Sequence, residues 1–447
     1  MKNLKIDDTI CALATGGGKS AIAVIRISGP NSLKITNTIF SKDLSKYNTH
    51  SIVYGNILFK NEIIDEVLIS KFNNNKSYTG EQTIEISCHG SIYIQKKILE
   101  LLIDSGCRLA NPGEFTLRAF KNGKLDLSQA ESVAELIAAE SEAEQKTAIN
   151  HLKGGFSKEL NILRQKLIDF ASLIELELDF SEEDVEFADR KEFKKLLFDI
   201  KDKITQLVNS FKLGNVIKEG IPVSIIGEPN AGKSTLLNTL LNEEKAIVSE
   251  IPGTTRDAIE DKLTINGYNF KFIDTAGIRN TNDKIEKLGI KKTLEKASKS
   301  EIILFISEVN KKIVIPKSLK NDKRLLIVIN KIDLQKPTSY ANIKDPILIS
   351  AKKAKGIDEL KKRLINCVDT KKLSNQNTII TNSRHYNELK LCLKEVREII
   401  NALEINLSSD LISVNIKQAL FHLGSITGEI TTDTLLRNIF SKFCIGK

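Results

Sequence analysis

A chain of 447 residues that is 41% hydrophobic and 28% charged has material for two to four ordinary domains with buried cores. No stretch approaches the roughly 20 uninterrupted apolar residues of a membrane span, and "MKNLKIDDTICAL" lacks the apolar run of a secretion signal. A soluble, cytoplasmic protein with no membrane partner is therefore expected, and its net charge of +9 suits either a polyanion such as RNA or a general lysine bias ("KNLK", "NNNK").

Near the N-terminus, Gly18-Lys19-Ser20 in "ATGGGKSAIAV" imitates the end of a phosphate-binding loop. The spacing fails, because the first glycine of such a loop would fall on Leu13, and a strand-like run rather than a helix follows. The stretch reads as a flexible lead-in to that strand. The β-rich runs "AIAVIRIS", "HSIVYGNILF", "EVLISKF" and "TIEISC", with the helical "IYIQKKILELLIDSG", predict an α+β domain over residues 1–120.

Ser128-x-x-Glu131 then reads as a capping box that opens a long helical region, 121–218. The acidic "DFSEEDVEFADRKEF" reads as a solvated loop in which Ser181-x-x-Asp184 caps the next helix. From Ile221 buried strands alternate with helices ("IPVSIIG", "NFKFIDTAG", "EIILFIS", "RLLIVINK"), the pattern of a parallel sheet. Helical spacing returns near residue 380. The fold class is multidomain α/β plus α: an α/β module, 219–373, inserted between two parts of an all-α domain, 121–218 and 374–447.

The six cysteines (Cys11, Cys88, Cys107, Cys367, Cys392, Cys444) show no C-x-x-C spacing, which argues against a disulfide frame or a zinc site. The chemistry instead centres on "GEPNAGKS" (227–234), a full G-x-x-x-x-G-K-[ST] between a strand and a helix. Backbone N–H groups of such a loop surround phosphate oxygens, Lys233 reaches the outer phosphates and Ser234 offers a hydroxyl to Mg2+. "DTAG" brings Asp274 toward the Mg2+ shell and the Gly277 backbone toward a γ-phosphate. In "NKID", Asp333 can accept the paired N–H donors of guanine, which adenine lacks, and "SAK" (350–352) adds a backbone donor to the guanine carbonyl. The four motifs in order point to GTP.

The group that orients water is less plain, since Ile278 occupies the place where small GTPases carry glutamine. Asp283 and Glu286 remain as candidates, with Arg256 or Arg279 as charge stabilisers. Thr254 or Thr255 can complete the Mg2+ shell. Asn230, with carbonyls of the 249–254 loop, permits a monovalent cation near the phosphates.

"GEPNAGKSTLLN", "PGTTRD", "DTAGIR", "YTGEQTIEISCHG", "PGEFTLRAFKNGKLDLSQAE" and the terminal "FCIGK" together resemble the tRNA-modification GTPase family known as MnmE or TrmE, nearly end to end. The resemblance implies an N-terminal tetrahydrofolate-binding and dimerising domain, a discontinuous helical domain and an inserted Ras-like G domain. It implies K+-stimulated GTP hydrolysis in a homodimer. It further implies that the chain, in a heterotetramer with a flavoprotein partner, MnmG (GidA), adds a carboxymethylaminomethyl group at C5 of the wobble uridine of certain tRNAs, using 5-formyl- or 5,10-methylene-tetrahydrofolate.

Carried over by residue, the GTP contacts fall on Asn230, Ala231, Gly232, Lys233, Ser234 and Thr235, on Ser249, Glu250, Ile251, Pro252, Gly253, Thr254 and Thr255, and on Asp274, Thr275, Ala276 and Gly277. The guanine contacts fall on Asn330, Lys331, Asp333, Ser350, Ala351 and Lys352. The K+ ligands fall on Asn230, Ser249, Ile251 and Thr254, the Mg2+ ligands on Ser234 and Thr255, and the water-orienting carboxylate on Glu286. Folate contacts fall on Arg26, Glu85, Lys124 and Lys447, with Cys444 a candidate functional thiol beside the last. Without the family, Arg26 and Glu85 read as ordinary strand residues. The alternative of an RNA-binding ribosome-assembly GTPase shares the G motifs, but no KH-type G-x-x-G or aromatic-rich sheet accompanies them.

Overall fold

Alternating apolar residues in "IAVIRIS" and "SIVYGNILF" bury one face of each strand, and the first sheet is built on that period of two. The computed structural model describes residues 8–179, 190–248, 262–273 and 297–447, apart from 312, 314, 321, 336–342, 344, 368–377, 406 and 408. Its described residues form two compact units. One comprises Met1–Ile137, Asn150–Leu197 and Lys394–Lys447, and the other Ala138–Ile149 and Phe198–Leu393.

In the first unit, β1 (Ile10–Leu13), β2 (Ile22–Ser28), β3 (Ser51–Phe59), β4 (Glu62–Phe72), β5 (Thr83–His89) and β6 (Arg108–Leu109) form one sheet in the order β3-β4-β5-β2-β1-β6. The stretch 14–21 is the loop between the antiparallel β1 and β2, so the Gly18-Lys19-Ser20 triplet belongs to a strand connection, as its spacing requires. Helices α1 (Ser32–Ile39) and α2 (Ile92–Asp104) supply Ile35, Ile98 and Leu102 to a core built on Ile25, Ile27, Ile69, Ile84 and Ile86. The first and sixth strands were not among those predicted. Each is short, and β6 has only two residues, too few for a period to register.

The helices that follow are α3 (Glu114–Lys121), α4 (Leu127–Ala138), α5 (Glu142–Leu152), α6 (Gly155–Asp179) and α7 (Arg190–Glu219). The first stretch of the expected helical region, up to Asp179, is three helices, divided at 139–141 and 153–154. At the second break Gly154 has φ +78°, a left-handed conformation that ends a helix cheaply only in glycine. The cap of α4 also differs from expectation. Asp126 Oδ1 accepts from Gln129 N (2.9 Å) while Gln129 Oε1 accepts from Asp126 N (2.9 Å), so the capping box is Asp126-x-x-Gln129. Ser128 lies inside the helix, its hydroxyl on Asp126 and Ser157. The Ser181-x-x-Asp184 cap lies outside the described residues.

In the second unit, β7 (Ile221–Gly227), β8 (Lys262–Ile265), β9 (Tyr268–Phe272), β10 (Ile302–Glu308), β11 (Leu325–Asn330) and β12 (Ile347–Leu348) pair in the order β12-β11-β10-β7-β9-β8. Five strands run parallel, as predicted, and β8 is an antiparallel edge joined to β9 through Asn266-Gly267. Both turn residues have positive φ (+47° and +79°), the demand that makes Asn-Gly a hairpin signal. Helices α8 (Lys233–Val248) and α9 (Ile357–Cys367) pack Leu236, Leu240, Leu360 and Leu364 onto the sheet. Later in the sequence come α10 (Ser383–Glu404), α11 (Ser409–Thr427) and α12 (Asp433–Phe440). Within the first unit α11 lies on α6, bridged by Arg164–Glu429 and Lys417–Glu175.

Candidate functional site

Strand β7 is central in its sheet, with β9 on one side and β10 on the other, and the crevice at its carboxyl end is where open parallel sheets bind ligands. Gly227 ends β7 with φ +146°, and a Cβ there would lie 2.1 Å from Ile306 O. At Gly232 (φ +93°) a Cβ would lie 2.2 Å from Asn330 Nδ2. Both positions admit glycine alone, which explains the two glycines of the motif by sterics. Asn230 adopts φ +63° at the turn between them. Lys233 opens α8, and its ammonium donates to the loop's own Gly227 O (2.9 Å) and Glu228 O (2.7 Å), spanning the loop. Ser234 and Thr235 occupy the next two positions of the first turn, at the positive end of the helix dipole.

Asn330 joins the two halves of the crevice. It ends β11 and is 2% exposed. Its Nδ2 donates to Ala231 O (2.9 Å), and its Oδ1 accepts from Ala351 N (2.9 Å). One side chain thus ties the phosphate loop to the loop after β12. Ser350 Oγ donates to Asp333 Oδ1 at 2.6 Å, and that hydrogen bond holds the Asp333 carboxyl below its ordinary range. An ionised carboxylate fixed in this way can accept the two N–H groups of guanine. Lys331 takes φ +69°, and its ammonium lies 3.2 Å from Glu308 Oε1 at the end of β10. Lys352 lies in the short turn capped by Ser350.

Two contributors were not foreseen. Glu308 stands beside Asn330 in the β10–β11 register and steers Lys331, and Thr239 of α8 donates to Ala351 O at 2.8 Å. Both belong to tertiary register, and no local motif signals them. Ser249, Glu250, Ile251, Pro252, Gly253, Thr254 and Thr255 lie outside the described residues. So do Asp274, Thr275, Ala276, Gly277 and Glu286, with Ile278 and the other candidates Arg256, Arg279 and Asp283.

A second constellation lies on the first sheet. Arg26 and Glu85 face each other in the β2–β5 register, with Arg26 Nε 2.8 Å from Glu85 Oε1. The guanidinium also lies against the rings of Tyr78 (5.3 Å) and Phe115 (5.6 Å) and donates to Gly446 O at 3.3 Å. The C-terminal tail is threaded in by close backbone approach, since a Cβ on Gly446 would lie 2.1 Å from Leu13 O. Burial, with Arg26 beside it, holds the Lys447 ammonium below the usual lysine range, against the opposing pull of Glu85. The structure therefore brings Arg26, Glu85 and Lys447 together, with the exposed Cys444 three residues before Lys447. Lys124 is engaged elsewhere, donating to Asn75 O at 2.9 Å.

The α/β module and its crevice define a guanine-nucleotide-binding hydrolase. Residues 127–444 match the family model described as the MnmE helical domain, and residues 9–124 match the GTP-binding protein TrmE N-terminus. Proteins named tRNA modification GTPase MnmE are 53% identical in Flavobacterium psychrophilum over 98% of this chain and 99% of theirs, and 53% identical in Flavobacterium johnsoniae over the same shares. That of Bacteroides thetaiotaomicron is 50% identical over 98% of this chain and 99% of its own. The chain belongs to the MnmE family of tRNA modification GTPases, and it is a GTP hydrolase acting in tRNA modification. Among solved structures, the G domain of the T. maritima FeoB iron transporter is 20% identical over 33% of this chain and 99% of its own, with a TM-score of 0.23.

Proposed function

We propose that this chain, in a cytoplasmic homodimer, couples K+-stimulated GTP hydrolysis to installation of a carboxymethylaminomethyl group at C5 of the tRNA wobble uridine. The partner is the MnmG (GidA) flavoprotein in a heterotetramer. The observation that carries the nucleotide half is the Asn330 bridge from Ala231 O to Ala351 N, with Asp333 oriented by Ser350. Lys233 leaves the loop carbonyls to meet the outer phosphates, Asn330 keeps the two loops in register, and Asp333 selects guanine. Ser234 and Thr255 would hold Mg2+, and Asn230, Ser249, Ile251 and Thr254 would hold K+. Those cations would supply positive charge where it develops on the phosphates. Glu286 would orient the attacking water.

Residues 1–120 form the folate-binding and dimerising domain in this reading, 121–218 and 374–447 the helical domain and 219–373 the G domain. The chemistry of the Arg26, Glu85 and Lys447 group fits a folate. Its two cations suit the tail carboxylates and its carboxylate suits the pterin N–H groups, and Lys124, on the same unit, would have to leave Asn75 O to join them. A bound tetrahydrofolate would supply the one-carbon unit. The test is mass spectrometry of tRNA nucleosides from cells lacking this protein. Loss of the modified wobble uridine is expected, and unchanged wobble uridines would refute the reading.

A further inference from the structure

A cleft of about 210 Å3 opens between α3 and α12, apart from both sites described above. Pro112, Leu117, Leu436 and Phe440 give it apolar walls, and the exposed Lys121 and Arg437 stand in its lining with the polar Asn111, Asn438 and Ser441. Two acidic residues also border it. The Glu114 carboxylate is spent, however, accepting from Arg108 (3.0 Å), Arg118 (3.2 Å) and the Asn111 backbone (2.8 Å). Asp433 stands in the first turn of α12, where the helix N-terminus offsets its charge. Among the described residues neither Lys121 nor Arg437 forms an ion pair, and Asp433, one helical turn before Arg437, is the one carboxylate of the lining not already engaged by arginines.

We propose that this cleft binds a small amphipathic carboxylate, an aryl or branched-alkyl acid. Its apolar body packs between Leu117 and Phe440, and its carboxylate is taken by the Arg437 fork with Lys121 beside it. The two unpaired cations suit an anion, the wall chemistry suits an apolar body, and the volume suits a small molecule better than a peptide.

The full chain is titrated with 4-fluorophenylacetate and followed by fluorine NMR, with neutral 4-fluorophenylacetamide in parallel. Saturable binding of the acid with a Kd of roughly millimolar order is expected, as is the rule for a ligand this small. The amide should bind at least about tenfold more weakly, and so should the acid to a Lys121→Gln, Arg437→Gln double variant. Unchanged thermal melting of that variant shows that the loss is local. Equal binding of acid and amide, an unchanged Kd in the double variant, or no binding at the solubility limit overturns the proposal. Saturation only by an acidic peptide that the acid fails to displace assigns the cleft to a protein partner instead, and also overturns it.

Discussion

Asp333 and Ser350 are 17 positions apart, yet a 2.6 Å hydrogen bond joins them into the unit to which the proposed function gives guanine recognition. Both were legible, because each ends an apolar run at the carboxyl edge of a parallel sheet, where ligands gather. Replacing Asp333 by Asn removes one acceptor and adds a donor, so GTP loses a partner while xanthosine triphosphate, with a carbonyl in place of the amino group, gains one. Competition binding should show GTP affinity falling at least about a hundredfold with xanthosine triphosphate preferred, and retained GTP preference would refute the assignment. Glu286→Ala should abolish GTP turnover with affinity nearly intact, and lost binding instead would mean that its role is misassigned. Arg26 and Glu85 were legible only through the family, because an ion pair across two strands leaves no local pattern.

At the scale of elements, α3 is held by buried charge as well as by the apolar packing of Phe115 and Leu117. Arg118 is 2% exposed and contacts Asp8 (2.5 Å), Glu81 (3.1 Å) and Glu114 (3.2 Å). Burial raises the Asp8 and Glu114 carboxyls, but hydrogen bonds and charge from Arg108 and Arg118 outweigh it and leave both below their ordinary values. Depressed carboxyls contribute stability that is present above the ordinary carboxylate range and lost as pH falls through their folded values. Arg118→Met should cost about 3–5 kcal/mol near neutral pH by denaturant titration. The gap to the wild type should narrow below about pH 4, where the stranded carboxylates take up protons. A gap that widened in acid would contradict this. Glu114 and Arg118 are four apart on one helix, a signal the sequence carried, but their half-buried partners Asp8 and Glu81 come from distant parts of the chain.

The α4 cap shows why boundaries were less legible than elements. "DLSQAE" offers two overlapping capping boxes, and the earlier one wins because it turns Leu127 and Ala130 into a core shared with Leu436 and Phe440. Asp126→Ala should therefore cost about 1 kcal/mol in thermal or denaturant unfolding, and Ser128 would not replace it as the cap. A neutral Asp126→Ala would restore the later box.

For the whole molecule, the alternation of buried strands and helices after Ile221 made the inserted α/β module readable. What it concealed is the company the module keeps within its unit. Ala143 N donates to Gly267 O (3.1 Å) and Asn269 Nδ2 to Glu144 Oε1 (2.8 Å), so the start of α5 rests on the β8–β9 hairpin. Backbone groups and an amide carry that contact, and hydrophobic periodicity does not record either. Among the described residues no helix is long and apolar enough to cross a membrane. Replacing K+ by Na+ should slow GTP turnover, and equal rates in the two salts would remove the monovalent cation from the account. The most direct measurement reconstitutes the chain with the flavoprotein, a folate and unmodified tRNA, and digests the tRNA for nucleoside mass spectrometry. The wobble uridine should be modified with GTP and remain unmodified with a non-hydrolysable analogue, whereas equal modification with both, or none with GTP, would contradict the coupling of hydrolysis to tRNA modification.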